Sequence, residues 1–445
     1  MKTRLIALKI LDDFDNNRKS LKMTIDKSFR ARKIDHRDKR LVFEIVYGVI
    51  RNRLSIDYVL NCYLNQEQFQ KNSQLMWILR IGMYQIVFLD RIPDHAAVYE
   101  SVNLAKRNNA TQKFAGVVNA VLRKIVRTKN RLPKPDVSED LPFRLSIQYS
   151  HPRWLIQRWL NQYGLTNTKK ILQFNNSRPS IFLRRKLRGL SRQQFESDIK
   201  SICDCTGNGI GYKNLYYTLK KSLIPDDIKM LQDGYCTIQS ASSGWVVALL
   251  DIQEDDKVLD LCAAPGGKTS LIAELLGKNG ALCASDINFR RLKKVSDVIT
   301  RMKLTNVFTF VCNGLNIPIT GQFDKLLLDA PCSGTGVIHR NPDIKIYKSP
   351  DDIREIVNLQ KELLNAVAPF VIPDGILVYS TCSLEIEENQ LQIKEFISHH
   401  PEFHIEHPTN LIKNSYIDNN GFLFITPYEH RMDTMFAARL RKKSH

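Results

Sequence analysis

The spacing of apolar positions changes twice along this chain. From residue 1 to about 130 they recur every three or four residues. Leu5, Ile6, Leu8, Ile10 and Leu11 open the pattern, Leu41 to Val49 and Trp77 to Leu89 continue it, and Phe114 to Val126 ends it beside Arg123, Lys124 and Arg127. That period places one greasy face on each helix, so a small all-α bundle is expected. Asp94, following Pro93, is positioned to cap the helix that runs into His95–Glu100. The pattern stops at residues 131–140, Arg-Leu-Pro-Lys-Pro-Asp-Val-Ser-Glu-Asp, where two prolines and a polar run mark a linker. His151-Pro-Arg-Trp then starts a helix with Pro152 in its first turn. Over 171–235, strand-like pieces (Ile181 to Arg185, Leu215 to Leu219) alternate with a helical one (Gln193 to Ile202), which predicts a small α+β subdomain within 141–235. From 236 to the end, short apolar runs at 258–261, 281–285, 307–311, 325–328 and 375–380 alternate with helical stretches. This is the order of a parallel, Rossmann-like α/β sheet, which binds ligands at the carboxyl ends of its strands. Met432 to Leu440 reads as a last hairpin strand closing that sheet.

Composition adds a partner class. The chain has 445 residues, a net charge of +19 and a pI near 9.5, a balance that suits a polyanion. Residues 1–130 hold 25 Lys+Arg against 12 Asp+Glu, a net of +13, so most of the excess lies in the predicted bundle. Binding to RNA phosphates and a solvated lysine-rich surface both account for that charge. Arg184, Arg185, Lys186 and Arg188 form a second basic cluster, on a strand, which suits an RNA path toward a catalytic cleft. No apolar run is long enough to span a bilayer, and the charged N-terminus does not read as a signal peptide. Nine cysteines, an odd number with no Cys-x-x-Cys pair, indicate reduced thiols in a cytoplasmic protein. Cys203 and Cys205 have no nearby His or Cys partners, so no metal is expected. A monomer with no membrane association is expected.

The candidate chemistry starts at Val258-Leu-Asp-Leu-Cys-Ala-Ala-Pro-Gly-Gly-Lys-Thr-Ser270, a buried strand, a small-residue turn and a helix. Such a unit presents backbone N–H groups to a nucleotide-like ligand. A phosphate-binding P-loop needs a glycine at 262, where Cys262 stands, and Gly-x-G-x-x-Gly is absent. S-adenosylmethionine needs a glycine turn plus an acid ending the next strand to hold the ribose hydroxyls. Asp286, closing Ala281-Leu-Cys-Ala-Ser-Asp286 about 20 residues on, supplies it. An ordinary βα turn remains the plain alternative for this loop taken by itself.

Two later strands end in turns rich in chemistry: Asp329-Ala-Pro-Cys332-Ser-Gly and Thr381-Cys382-Ser383. In a doubly wound sheet these strands are normally neighbours, about 4.8 Å apart, so both thiols should face the donor. A lone cysteine at a strand end is more often a small core residue. Two of them with an aspartate at one sheet edge favour catalysis. Carbon 5 of cytosine is a poor nucleophile until a thiolate adds to carbon 6. An acid near ring N3, for which Asp329 is placed, stabilises that adduct, and the thiolate leaves after methyl transfer. Residue chemistry does not decide which of Cys332 and Cys382 attacks.

Four stretches of the first region, Asp38 to Gly48, Ile78 to Gln85, Ile92 to Ala97 and Val118 to Arg123, resemble the NusB-type RNA-binding helical domain. The two cysteine turns with the glycine loop resemble Sun-type RNA cytosine-C5 methyltransferases. Together they are most similar to the RsmB branch of that family, which methylates cytosine 967 of 16S rRNA, and the resemblance spans essentially the whole chain. It implies S-adenosylmethionine as donor and 16S rRNA as substrate. It implies Cys382 as nucleophile, Cys332 as the thiol that assists adduct breakdown and release, and Asp329 in catalysis and donor binding. The donor contacts it implies fall on Cys262, Ala263, Ala264, Pro265, Gly266, Gly267, Lys268, Asp286 and Asp329. A further family acid after the third strand is replaced here by Asn313. An amide can still hydrogen-bond the adenine ring, so weaker or reshaped donor binding is expected, not its loss. Arg340-Asn-Pro-Asp343-Ile-Lys345 resembles the family's base-side segment, with substrate phosphate or solvent as its two possible partners. The rivals are a tRNA enzyme of the same chemistry, a non-catalytic RNA-binding factor, and an ATPase resting only on Gly267-Lys268-Thr269.

Overall fold

The computed structural model describes residues 2–17, 20–32, 34–64, 71–205, 209–220, 228–430 and 432–444. The chain forms two compact units, residues 1–178 with 338–347, and residues 179–337 with 348–445.

The first unit is helical, as the period of its apolar residues requires. Its helices include Lys2–Asn17, Leu21–Arg30, His36–Arg51, Arg53–Tyr63, Ser73–Phe88, Asp94–Lys106 and Ala115–Thr128, followed by Leu141–Tyr149 and Arg153–Asn176. Their starts are chemically marked: Asp35 Oδ1 accepts from Asp38 N at 2.8 Å and Asp140 Oδ1 from Phe143 N at 2.8 Å. Asp94 does not cap. Pro93 takes that position and Asp94 lies in the first turn, where its charge still favours the positive helix end. The helix Ser73–Phe88 runs through the centre, buried from Leu75 to Ile86. Close packing explains Gly48, since a Cβ there would come within 1.9 Å of the Tyr84 ring. The stretch expected as a linker, 131–140, lies within the first of the two compact units. The boundary between the units follows Arg178, because Leu141–Tyr149 and Arg153–Asn176 pack within the helical unit.

Residues 338–347 also belong to the helical unit, and Lys345 in that segment meets neither substrate phosphate nor solvent. Asp343 Oδ2 accepts from Leu21 N at 3.2 Å, and Tyr347 OH donates to Phe14 O at 2.7 Å. Lys345 is buried, and its Nζ donates to Arg51 O at 3.1 Å and Asn176 Oδ1 at 2.8 Å. Burial, reinforced by the Arg51 charge, holds its ammonium well below the usual lysine range.

The second unit contains two sheets. The small one is antiparallel, with order β2-β3-β1-β4 for β1 (Phe182–Arg185), β2 (Cys203–Asp204), β3 (Tyr216–Leu219) and β4 (Cys236–Ile238). Its basic strand is not a solvent-facing RNA path. Arg184 is buried, with Nη1 donating to Glu274 Oε1 at 2.7 Å and Nη2 to Ser270 Oγ at 2.9 Å. Lys186 Nζ donates to Met302 O at 2.5 Å, and Arg185 donates to the carbonyls of Lys186 and Leu190. Only Arg188 of the cluster is exposed.

The large sheet holds β5 (Lys257–Leu261), β6 (Ala281–Asp286), β7 (Val307–Val311), β8 (Phe323–Asp329), β9 (Val371–Thr381), β10 (Phe403–Ile405), β11 (Leu423–Ile425) and β12 (Met435–Lys442). Its order is β10-β12-β9-β8-β5-β6-β7, with β11 paired to β12. β5 to β9 are mutually parallel, and β12 runs antiparallel between β9 and β10. The expected closing strand is therefore an interior one, and β10 forms the edge. Strand order reverses between β5 and β8. Loops leaving that switch point diverge to opposite faces and open a crevice at the carboxyl ends.

Candidate active site

Every residue expected in the donor site lies on the carboxyl edge of the large sheet or in the helix that follows it. After β5 the chain turns through Cys262, at φ +65°, and Gly266, at φ +99°. A Cβ on Gly266 would stand 3.0 Å from Val295 Cα, so both conformation and space select glycine there. The turn is fixed by Ala263 N donating to Ser285 O and Gly266 N to Ala263 O, each at 2.8 Å. The helix Gly267–Leu275 then starts with the unpaired N–H groups of its first turn at this edge. Asp286 ends the neighbouring β6 and is 3% exposed. Its Oδ1 accepts from Asn288 N at 2.9 Å. Its Oδ2 accepts no hydrogen bond from the described residues and stands 3.5 Å from Arg291 Nη2. A buried carboxylate oxygen short of a partner, beside a glycine turn, fits a ribose diol. Asn313, two residues beyond β7, is exposed, and its Oδ1 accepts from Leu315 N at 3.2 Å.

Asp329 ties this edge together. Its Oδ2 accepts from Lys268 Nζ at 2.7 Å and its Oδ1 from Ser380 Oγ at 2.7 Å, linking the helix after β5 with the ends of β8 and β9. In the β8–β9 ladder Asp329 stands opposite Ser380. Within β5, Asp260 Oδ2 accepts from Thr269 Oγ1 at 2.6 Å while Oδ1 has no partner among the described residues. Burial pushes that carboxyl up to about 7.

From this register the two cysteine turns converge. Cys332 Sγ and Cys382 Sγ are 3.1 Å apart and both are partly exposed. The hydrogen bond to Cys382, and after it burial and the charges of Cys382 and Glu388, raise Cys332 well above the ordinary thiol range. Gly336 N donates to Cys382 O at 3.1 Å, and a Cβ on Gly336 would come within 2.3 Å of Thr434 Cβ.

The sequence reading missed the layer beneath these turns. Glu388, fully buried, accepts from Ser333 N at 2.8 Å, Gln360 Nε2 at 3.0 Å, Ser383 Oγ at 2.5 Å and Ser333 Oγ. Thr381 Oγ1 donates to Asn389 Oδ1 at 2.5 Å, and Asn389 Nδ2 donates to Ser383 O at 2.9 Å. The run Glu385-Ile-Glu-Glu-Asn389 directly after the second turn was the available signal. A carboxylate seven residues past a strand end, as Glu388 is past Thr381, folds back on its own turn as readily as it meets solvent.

A mixed sheet whose parallel strands carry a glycine turn, a buried acid and paired thiols at one edge defines the Rossmann-like methyltransferase class. Family models agree. Residues 247–441 match "16S rRNA methyltransferase RsmB/F", 1–127 match the NusB family, and 151–201 match the ferredoxin-like domain of RsmF/B-like methyltransferases. The probable ribosomal RNA small subunit methyltransferase B of Bacillus subtilis is 33% identical over 459 residues, covering 99% of this chain and 98% of its own. The ribosomal RNA small subunit methyltransferase B of Yersinia pestis is 34% identical over 406 residues, covering 90% of each. Among solved structures, PH0851 superposes with a TM-score of 0.81 at 25% identity over 99% of both chains. NSun6 from Pyrococcus horikoshii, determined with SFG, shares the fold, with a TM-score of 0.58 at 22% identity, over 66% of this chain and 99% of its own. The chain belongs to the RsmB/F family of 16S rRNA methyltransferases, and its methyl donor is S-adenosylmethionine.

Proposed function

We propose that this enzyme methylates carbon 5 of a cytosine in 16S rRNA, the one that corresponds to cytosine 967, through a covalent adduct between Cys382 and carbon 6. It does so as a cytoplasmic monomer. The observation that carries the reading is the pair of thiols 3.1 Å apart at the strand ends, with Asp329 on the same edge as the donor loop.

In this mechanism Cys382 gives up its proton to solvent, while the contact with Cys382 and burial hold the Cys332 thiol above the ordinary range. The Cys382 thiolate adds to carbon 6, and carbon 5 becomes electron-rich. In this reading Asp329, which Lys268 and Ser380 hold at the strand edge, accepts a hydrogen bond from ring N3 as N3 gains a proton, and so stabilises the adduct. S-adenosylmethionine, when bound, supplies an electrophilic methyl on a sulfonium. The residues to hold it are Cys262 to Lys268, Asp286, Asp329 and Asn313, the last contributing an amide where relatives in the family carry an acid. With the donor bound, its methyl would pass to carbon 5, a base would take the carbon 5 proton, and the bond between carbon 6 and the Cys382 sulfur would break. Cys332 assists the last step by donating its hydrogen bond to the departing Cys382 thiolate.

Two cysteine variants test the assignment on cytosine-containing 16S rRNA. Cys382→Ala should abolish both methyl transfer and the gel-stable protein–RNA adduct, and Cys332→Ala should accumulate the adduct. Full activity in Cys382→Ala would refute it. Mass spectrometry of digested 16S rRNA from cells with and without the protein should show one 5-methylcytosine gained at the proposed site.

A further inference from the structure

Beneath the paired thiols lies a carboxylate with no role in the reaction as derived so far. Glu388 is fully buried, yet among the described residues no cation pairs with it. Four neutral donors satisfy it. Oε2 accepts from Ser333 N and Gln360 Nε2, and Oε1 accepts from Ser333 Oγ and Ser383 Oγ. Burying a charge this way costs several kcal/mol unless every lone pair is used. A structural core would be served as well by an apolar side chain, so the charge calls for another account.

The donors supply one. Ser333 follows Cys332 and Ser383 follows Cys382, so one carboxylate bridges the two turns at the residue next to each thiol. Gln360 Nε2 also donates to Pro331 O at 2.9 Å, gripping the first turn from the helix Pro350–Val367. Tyr379 OH donates to Glu388 O at 2.7 Å, which anchors the glutamate's own backbone to β9. Thr335 Oγ1 accepts from Leu384 N at 3.0 Å and closes the lattice.

We propose that Glu388 is a positioning residue that locks the Cys332 and Cys382 turns in register, so that the two sulfurs stay in contact through adduct formation and breakdown. This rests on the cytosine-C5 reading above. A second consequence follows from its charge. The groups facing Glu388 are Ser333, Ser383 and Gln360, which are neutral, and Cys332 and Tyr379, which titrate. Both of the latter are raised, with the Glu388 charge among the causes in each. The carboxylate therefore opposes ionisation of Cys332.

Separate variants divide reach from charge. Glu388→Asp keeps the charge but is one methylene short. Glu388→Gln keeps the reach, with hydroxyls that can turn to accept from the new amide, and loses the charge. Ser333→Ala with Ser383→Ala removes two donors without touching the glutamate, and covers the case in which a Glu388 variant does not fold. The first readout needs no RNA: diamide oxidises the paired thiols to a disulfide, itself being reduced to the hydrazine, and peptide mass spectrometry follows the Cys332–Cys382 link. The link should form at least about tenfold more slowly in Glu388→Asp and in the double serine variant, and kcat on 16S rRNA should fall on the order of 100-fold while the donor Kd stays within about threefold. In Glu388→Gln the loss of kcat should be smaller. The pH midpoint for iodoacetamide labelling of Cys332, read in a Cys382→Ser background, should move down by about one unit. Unchanged cross-linking and kcat in the aspartate and serine variants would overturn the proposal. So would a donor Kd that weakens in step with kcat, since that marks general loss of the fold. If cross-linking slows as expected but no cytosine is methylated by the parent enzyme, the reaction reading fails and the positioning role stands.

Discussion

The residue that most rewards a pH measurement is Asp260, directly under the donor loop. Its folded-state carboxyl lies at about 7, from an ordinary value of 3.8, because burial outweighs the Thr269 hydrogen bond. A raised folded pKa means that the folded protein binds the proton more tightly than the unfolded chain does. The associated stability is complete below about pH 4, is lost as pH climbs to about 7, and is constant above that. Three units of displacement set a ceiling of about 4 kcal/mol. Asp260→Asn keeps an acceptor for Thr269 and removes the titration. Its melting temperature relative to the parent, in donor-free protein, should therefore rise between pH 4 and 7 and level off by pH 8. Parallel melting curves over that range would show that the carboxyl is not buried as a charge. The candidate thiols and Asp329 were legible because a strand followed by Asp-x-Pro-Cys or Thr-Cys combines a local conformation with a reactive atom. Glu388 was not, because a buried acid without a basic partner has no signature in a sequence window.

At the scale of elements, β5 to β9 were legible and their neighbours less so. Runs such as Leu326 to Leu328 and Ile376 to Tyr379 are apolar on both faces, as buried parallel strands must be, and they bracket the observed strands closely. β10 and β11 are three residues each, too short for a period to show. The insertion of β12 between β9 and β10 is a tertiary choice with no trace in chain order. β1 shows the opposite failure. Four basic residues near a strand suggest a solvent face, but Arg184 finds Glu274 in the helix that starts at the glycine turn, with side chains 0% and 1% exposed. Leu187 N donates to the other Glu274 oxygen at 2.5 Å, so the pair docks the small sheet against the donor-binding helix. Removing one partner leaves a buried charge, and Arg184→Met should cost about 3–5 kcal/mol in urea unfolding. Adding Glu274→Leu should recover most of that loss, because two apolar side chains need no counterion. If the double variant is no better than the single one, the pair is not the source of the docking energy.

For the whole molecule, the question is what the basic helical unit contributes. Residues 1–130 carry +13 of the chain's +19, yet deleting them is a poor test. The chain leaves the α/β unit after Val337, spends residues 338–347 among the helices and returns at Lys348, six residues after Cys332 at its departure. Truncation would strip Leu21, Arg51 and Phe14 from Asp343, Lys345 and Tyr347, leaving a desolvated lysine with one of its two acceptors. A fall in activity would then confound lost RNA affinity with a disturbed segment that follows Cys332 closely in the chain. Charge removal on the surface separates them. Lys106, Arg107, Arg123 and Arg127 are exposed on the helices Asp94–Lys106 and Ala115–Thr128 or just beyond them. Each phosphate contact contributes about 0.7–0.9 to the slope of log affinity against log salt, so replacing all four by glutamine should lower its magnitude by roughly 3 if each meets a phosphate. At saturating RNA the turnover should hold, because none of the four approaches the donor loop or the cysteine turns in sequence. A filter-binding titration from low to moderate salt checks the slope, and single-turnover methylation checks the chemistry. An unchanged slope would move the RNA-binding face elsewhere. A lowered kcat at saturation would mean that the helical unit acts on the reaction itself.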